Sequence, residues 1–368
     1  MRVSHVSQGR RRAIKWRMAP FYNMYCFNKR VTSVHTGILV YRNIILVTVL
    51  LCACHTAVMA QTTLAARVDS LLKVRGERAF ARYDTAYIGK PVGKWSVKLC
   101  FSASGTGLVT RGKIGGEEFK STLEAASKST LGASVSYRGL TVSFAINPAK
   151  LTGRNKDNEF GFSSYGNRFG FDVLYTSAKT FSGDVEHGGE TYGIGQGSVS
   201  MELLQASAYY AFNGRRFSFP AAFSQSQVQK RSCGSWLVGL SAFAGRISAS
   251  AETIHGTGAT RLSTLNVAVG GGYAYNFVIK KKWLLHISAV PHIVAFSRNR
   301  LTVGDRRQRA PYRFPSLVNI GRIALGRNFS NSFMGFTAVV NIWQHGDHDA
   351  MELESLKWRA RLFYGFRL

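Results

Sequence analysis

The chain has 368 residues, of which 45% are hydrophobic and 12% aromatic, with 37 glycines and 7 prolines. This composition excludes a disordered chain and disfavours a helical bundle, which is richer in Ala, Leu, Glu and Lys. The formal net charge is +29, but residues 1–60 hold nine basic and no acidic residues, leaving 39 basic against 19 acidic ones. The remaining basic residues are scattered singly, without a basic helix or an RNA-binding signature, so nucleic acid is not an expected partner.

Residues 44–60 read IILVTVLLCACHTAVMA, an apolar run that follows Arg42 and precedes Gln61. Val58 and Ala60 supply small residues at the minus-three and minus-one positions of a cleavage site. We therefore predict that 1–60 is a signal peptide with an over-long n-region, for which Met24 is an alternative start. A transmembrane anchor and a lipoprotein signal at Cys54 are the other interpretations. No later segment is apolar and long enough to predict a transmembrane helix.

Residues 61–93 predict a periplasmic N-terminal helix and an extended lead-in. Leu64, Val68, Leu71 and Leu72 recur at helical spacing. We expect the helix to end near Gly76.

From Trp95 the apolar period becomes two, which is typical of a strand with one apolar face. In the last segment the apolar set is Trp358, Ala360, Leu362, Tyr364, Phe366 and Leu368. Its opposite face carries Lys357, Arg359, Arg361 and Arg367. The apolar faces begin or end with aromatic residues, and the segments exceed the five or six residues usual in soluble sheets. Both features favour a membrane barrel over a β-sandwich, because only a closed sheet satisfies its backbone in lipid.

We predict an all-β fold, an antiparallel transmembrane β-barrel of about 12 strands over residues 94–368. The predicted strands are 94–105, 129–138, 140–147, 159–166, 168–178, 199–212, 235–250, 262–278, 284–298, 313–328, 333–345 and 354–368. Short connections between them are expected to be periplasmic and long ones extracellular. The segment 213–234 is long but falls on the periplasmic side, where it could fold into the lumen as a partial plug.

Several segments resemble one family: YDTAYIGKPVGKW (83–95), NPAKLTGRNKD (147–157), SYGNRFGFDVLY (164–175), YYAFNGRRFSFPAAFSQS (209–226), FSRNRLTVG (296–304) and KWRARLFYGFRL (357–368). The chain is similar over 83–368 to the domain of unknown function numbered 4421, a family of gut-dwelling Gram-negative anaerobes. PAAFSQSQVQKRS is its most specific piece. The resemblance implies an outer-membrane barrel and no established activity, ligand or catalytic residue. The terminal Leu368 departs from the Phe that ends many outer-membrane proteins, but it still fits an assembly signal.

The most informative polar feature is basic charge on the inner faces of the first and last strands. Lys98, Arg359, Arg361 and Arg367 are the candidates for lining the lumen. They could raise the concentration of anionic solutes or bind lipopolysaccharide phosphate near a rim. Alternatively, they pair with acidic residues such as Asp172 and Glu202 and fill a narrow lumen. Arg322 and Arg327 lie on opposite faces of one strand, so at most one of these two points inward.

Catalytic and metal-binding signals are weak. His286 and His292 share one face of a strand, and two histidines alone do not make a metal site. The tract around His345, Asp347, His348 and Asp349 is expected to be a solvated loop, with divalent-cation binding as the alternative. No GxSxG-type elbow singles out a nucleophile. Cys100 and Cys233, the cysteines outside the leader, are expected to be free thiols or a single disulfide.

The sequence thus predicts a monomeric outer-membrane barrel without cofactor, with a pore for small anionic solutes as the leading hypothesis of function. The alternatives are a lipid-acting outer-membrane enzyme and a structural or adhesive barrel with a filled lumen. The expected partners are membrane lipid, lipopolysaccharide and the outer-membrane assembly machinery.

Overall fold

A computed structural model of the protein describes residues 69–71, 73, 74, 77, 80–91, 93–114, 116–137, 140–151, 153, 157–250, 260–310, 314–347 and 351–368. The predicted signal peptide 1–60 lies outside them, as do Leu64, Val68 and Leu72. Residues 69–71, 73, 74, 77 and 80 are helical, so helical structure recurs beyond Gly76, where the sequence predicts an end. No helix in this described part of the chain is both long and apolar enough to cross a bilayer.

The described residues form nineteen strands and two short helices beyond residue 80. The strands are β1 (Ile88–Gly89), β2 (Trp95–Ile114), β3 (Glu117–Glu124), β4 (Lys128–Tyr137), β5 (Leu140–Ile146), β6 (Asn158–Ser164), β7 (Phe169–Ala178), β8 (Ser182–His187), β9 (Glu190–Ile194), β10 (Val199–Ala211), β11 (Val228–Gln229), β12 (Cys233–Ala249), β13 (Thr260–Ile279), β14 (Trp283–Ser297), β15 (Arg300–Val303), β16 (Arg306–Arg309), β17 (Leu317–Asn328), β18 (Ser332–Asp347) and β19 (Met351–Arg367). The helices are α1 (Pro148–Leu151) and α2 (Phe219–Phe223).

Twelve of these strands match the twelve predicted ones and form one antiparallel sheet, in the order β5-β4-β2-β19-β18-β17-β14-β13-β12-β10-β7-β6. The strand order also places β5 beside β6. Glu159 of β6 accepts hydrogen bonds from Ser104 of β2 and Lys357 of β19, so the inner faces of these strands meet. The sheet is therefore curled, and the predicted all-β barrel architecture is confirmed.

Side chains alternate between the two faces of the curled sheet, as a period of two requires. In β12, Leu237 and Phe243 are buried inside, whereas Trp236 and Leu240 are exposed outside. The outward set is continuous around the sheet and includes Leu99, Phe101, Leu131, Phe144, Phe160, Phe162, Leu204, Val269, Ile287, Ile293 and Leu362. An exposed apolar surface of this extent is unsuited to water and suits contact with lipid.

Aromatic pairs mark the edge of the barrel that carries the short turns. They lie at the start of β2, the end of β10, the start of β12 and the end of β19: Trp95 with Tyr137, Tyr210 with Phe212, Trp236 with Tyr273, and Tyr364 with Phe366. Amphipathic rings in this position form the interfacial girdle of a membrane barrel. This edge is the periplasmic one, because the short turns of outer-membrane barrels face the periplasm.

The long connections contain more strand than the sequence predicts. Strands β3, β8 and β9 occupy parts of 106–128 and 179–198, and β15 and β16 form a hairpin within 299–312. β3 pairs with β2 and with β8, so the barrel wall continues beyond the membrane as ordered hairpins. The sequence analysis assigns these segments to long extracellular connections. In β3, Phe119 and Leu123 are buried on the inner face and alternate with exposed residues, which explains why this segment forms a strand.

Candidate functional site

The barrel interior is the candidate functional site, because the four basic candidates all lie on inner faces. Arg361 Nε donates to Ser102 Oγ at 3.1 Å. Arg367 is buried; its Nη2 donates to Asn328 at 2.8 Å. Lys98 Nζ lies 5.6 Å from the ring centroid of Phe363, and Arg359 is half-buried opposite Ser104. The inner wall of β2 and β19 is therefore basic, although much of this charge contacts neighbouring side chains.

A buried ion pair crosses the middle of the interior. Arg322 Nη2 of β17 donates to Asp172 Oδ2 of β7 at 3.0 Å, with 4% and 16% of the two side chains exposed. The Tyr165 hydroxyl donates to the other carboxylate oxygen at 2.8 Å. Burial raises the pKa of Tyr165, in the turn after β6, to about 12, and the Asp172 charge adds to this, so the phenol stays a neutral donor. Arg327 points outward, 5.1 Å from the Trp283 ring centroid, as the parity of β17 requires.

A second group of charges joins β6 to β4 and β19. Glu159 accepts from Lys357 Nζ at 2.6 Å, and Lys128 Nζ lies 3.9 Å from both Glu159 and Asp157. Asp157 also accepts from the hydroxyl of Thr180 at 2.7 Å. All of these groups are buried or nearly so, and the hydrogen bond between Lys357 and Glu159 offsets the cost of burying both charges. Lys128 Nζ lies near two carboxylates but makes no hydrogen bond within the described residues.

These charges leave little free volume. Between them lies a cavity of about 20 Å³, lined by Asp172, Gln205, Arg322, Asn341 and Arg359 among others. A cavity of this size holds about one water molecule. A hydrated ion or small solute needs far more room, so the interior is filled at this level.

Toward the extracellular end the interior becomes apolar. The tilted rings of Phe243 and Trp343 pack with centroids 4.4 Å apart. They belong to a buried cluster contributed by β2, β3, β7, β8, β9, β10, β12, β13, β14, β17, β18 and β19. The members are Leu108, Leu123, Ala125, Ala178, Phe181, Val185, Ile194, Val199, Met201, Leu203, Phe243, Ala268, Val294, Val318, Ile320, Trp343 and Leu353. Apolar side chains from these strands therefore occupy the interior at this level.

The segment 213–234 fills the periplasmic end. Ser218 caps α2, its hydroxyl accepting from the Ala221 amide, and the capped turn directs Phe217 and Phe219 inward, where both are fully buried. Phe219 packs against Tyr209 with ring centroids 4.3 Å apart. The partial plug suggested by the sequence is thus present in the structure.

The extended lead-in is attached to this plug. Ile88 of β1 pairs with Gln229 of β11, and Arg216 Nε donates to Asp84 Oδ2 at 3.1 Å. The plug and the lead-in therefore form one periplasmic cover.

Both predicted strand histidines face the interior. His286 Nδ1 lies 2.8 Å from Asn276 Oδ1, and His286 Nε2 lies 3.1 Å from Ser288 Oγ. His292 Nε2 lies 3.3 Å from Ser241 Oγ. The first set has the spacing of a nucleophile, a base and an orienting amide, which sequence spacing alone could not reveal because Asn276 is on the neighbouring strand. Phe219 of the plug covers His286, with ring centroids 5.0 Å apart.

Three expectations have mixed outcomes. Asp172 pairs with an interior arginine, but the expected pairing of Glu202 inside the lumen is wrong: Glu202 is exposed on the outer face of β10, opposite Arg246. Within the described residues, no His, Cys, Asp and Glu group could hold a metal ion, and the side chains of the 345–349 tract lie outside them. Cys100 and Cys233 are free thiols.

These features define a membrane-spanning β-barrel of the bacterial outer membrane with an occupied interior. The chain belongs to the family described as Domain of unknown function (DUF4421), whose model matches residues 82–368. No curated protein matches the sequence.

Solved structures similar to this chain are outer-membrane proteins, but the likeness is low. The outer membrane protease OmpT from Escherichia coli is 6% identical, covering 76% of this chain and 97% of its own, with a TM-score of 0.39. The translocator domain of autotransporter NalP from Neisseria meningitidis is 10% identical, covering 83% and 98%, with a TM-score of 0.30. OprG from Pseudomonas aeruginosa is 10% identical, covering 76% and 99%, with a TM-score of 0.26. The class assignment therefore rests on the strands and their two faces.

Proposed function

We propose that this protein is a non-conducting outer-membrane barrel that acts through its extracellular surface, as a structural or adhesive protein. The observation that carries the proposal is the continuous filling of the interior. The plug, the paired charges around Asp172 and the apolar cluster around Phe243 occupy successive levels along the axis. A pore for anionic solutes loses its main support, because Arg361 and Arg367 hydrogen-bond interior partners and Arg359 borders a cavity of about 20 Å³.

The described part of the extracellular surface is well suited to binding because it is built from paired strands. The wall of β2, β3, β8 and β9 extends as paired strands beyond the apolar belt, and β15 and β16 form a second hairpin. A rigid scaffold that presents such hairpins loses little entropy on binding. The protein acts as a monomer in this proposal and is delivered by the outer-membrane assembly machinery, with Tyr364 and Phe366 exposed near its C-terminus.

Planar-bilayer recordings test the proposal. The purified full-length protein should produce no conductance steps, whereas a general porin in the same bilayer should. Binding of the extracellular surface to cells or matrix components should survive the plug variant Phe219→Ala. The same binding should be lost when residues 299–310 are replaced by a short turn. Stable, anion-selective steps from the wild-type protein would refute the proposal in favour of a pore.

A lipid-acting enzyme is the second candidate, supported by the Ser288, His286 and Asn276 distances. The plug must move before a substrate could reach Ser288, which is buried. Phospholipid hydrolysis by the protein in mixed micelles, abolished by Ser288→Ala, would support this function. Ser241→Ala is the matched control and should leave any hydrolysis unchanged. Ser241 also contacts a histidine, His292, but the other ring nitrogen of His292 faces the Val290 carbonyl instead of an amide side chain.

A further inference from the structure

Arginines cluster on the outer face of the barrel, at the extracellular end of β12 to β16. The register places Arg246 opposite Ser263, Ser263 opposite Arg300, and Arg300 opposite Arg309, in one row across four strands. The adjacent row runs from Ser248 through Arg261 and Thr302 to Arg307. Arg298 pairs with Leu265 directly below the first row. We call the six residues Arg246, Arg261, Arg298, Arg300, Arg307 and Arg309 the arginine face.

The strand parity shows that these side chains point away from the interior. Leu301 and Asn299, which alternate with Arg300 and Arg298, are buried on the inner side, and all six arginines are exposed. An irregularity in the pairing of β13 with β14, between Val267 and Ala268, shifts the parity so that Phe296 and Arg298 share the outer face. The outer face therefore changes from apolar to basic within two residues.

Among the described residues, the arginine face has almost no negative charge beside it. Asp305 is the only acidic residue from 297 to 310 and lies in the exposed turn between β15 and β16. Glu202 borders the face on β10, opposite Arg246. None of the salt bridges found among the described residues involves the arginine face. Like charges directly opposite each other, as in Arg300 and Arg309, destabilise a sheet unless an anion lies between them.

The position of the arginine face indicates which kind of anion it would bind. Leu265 and Phe296, exposed on the lipid-facing surface, lie at its lower border. Strands lie about 4.8 Å apart, so the face is about 14 Å wide at the level of the headgroups. Arg298, Arg300, Arg307 and Arg309 line an open groove of about 550 Å³. Guanidinium groups bind phosphate through paired, charge-assisted hydrogen bonds.

We propose that the arginine face binds the phosphate groups of a phosphorylated glycolipid in the outer leaflet, whose acyl chains lie against Leu265 and Phe296. The lipid is favoured over a free anion because the basic surface continues directly from the lipid-facing one. This site is separate from the barrel interior, so it does not depend on whether the lumen conducts.

Binding of purified lipopolysaccharide to the full-length protein in detergent micelles tests the proposal. The variant Arg300→Gln/Arg307→Gln/Arg309→Gln should bind about tenfold more weakly or worse, from the loss of several phosphate contacts. Arg327→Gln is the matched control, since Arg327 is also outward but lies at the periplasmic edge, and its binding should be unchanged. The gel mobility of the folded barrel shows whether each variant is folded, and Arg300→Gln alone serves if the triple variant is not.

Two further ligands identify the source of the phosphate. Dephosphorylated lipopolysaccharide should bind as weakly to the wild-type protein as the intact lipid does to the triple variant. Equal binding of both lipids would overturn the proposal. So would full competition by inorganic phosphate at concentrations comparable to the lipid, because a free anion would then be the ligand.

Discussion

Replacing Arg322 by Met should destabilise the barrel strongly. The change leaves the Asp172 carboxylate buried without its cationic partner, with the hydroxyls of Tyr165 and Ser163 as hydrogen-bond donors. Removing one partner of a buried ion pair costs about 3–5 kcal/mol. Only 4% of the Arg322 side chain and 16% of the Asp172 side chain are exposed, so water replaces the guanidinium only in part. We therefore expect the free energy of unfolding to fall by about 3–5 kcal/mol.

The assay is urea unfolding of the refolded protein in lipid vesicles, followed by tryptophan fluorescence and gel mobility. The double variant Arg322→Met/Asp172→Leu removes both charges and should recover most of the loss, because an apolar pair often replaces a buried ion pair without cost. Arg309→Met, on the exposed outer face, should change stability by less than about 0.5 kcal/mol. A loss below about 1 kcal/mol for Arg322→Met, with no recovery in the double variant, would contradict a dry, paired interior.

Three other variants test the lipid belt, the plug and the inner packing. Leu240 lies near the middle of β12 on the outer face, so Leu240→Arg should lower the free energy of unfolding in vesicles by about 2–4 kcal/mol. An effect near zero in the same urea titration would place this face in water. Phe219→Ala should lower the free energy of unfolding by about 3–5 kcal/mol and speed proteolysis of the 213–234 segment. Unchanged stability and unchanged proteolysis would show that Phe219 does not anchor the plug. Gly170→Val should lower the free energy of unfolding by about 1–3 kcal/mol, because a Cβ at Gly170 would lie 2.4 Å from the Tyr209 ring. An unchanged urea midpoint would show that this ring can move aside.

The barrel itself was predictable from the sequence because each transmembrane strand carries a period of two. The twelve predicted strands and the inward side of the last strand, with Arg361 and Arg367, match the structure. The periodicity of β17 also separated Arg322 from Arg327 correctly. One face of each of these strands contacts lipid, so apolar residues recur at alternate positions over much of each strand.

Features that depend on contacts between distant segments were not predictable. The partner of Arg322 lies 150 residues away, and the sequence offered Glu202 as readily as Asp172. In β10, Glu202 alternates with Met201 and Leu203, which are buried on the inner face, so Glu202 lies on the outer face. This alternation is the sequence signal that could have excluded Glu202 from the lumen. The arginine face was missed because four of its six residues, Arg261, Arg300, Arg307 and Arg309, lie in segments that the sequence analysis assigns to connections between strands.

Cysteine labelling along β12 tests the filled, lipid-embedded barrel most directly. In a background without Cys100 and Cys233, single cysteines replace each residue from 236 to 243 in turn. A membrane-soluble maleimide should label positions 236, 238 and 240, and a water-soluble thiosulfonate should label none of 237, 239, 241 and 243. Rapid labelling of that second set from the aqueous phase would show a water-filled lumen and contradict the account.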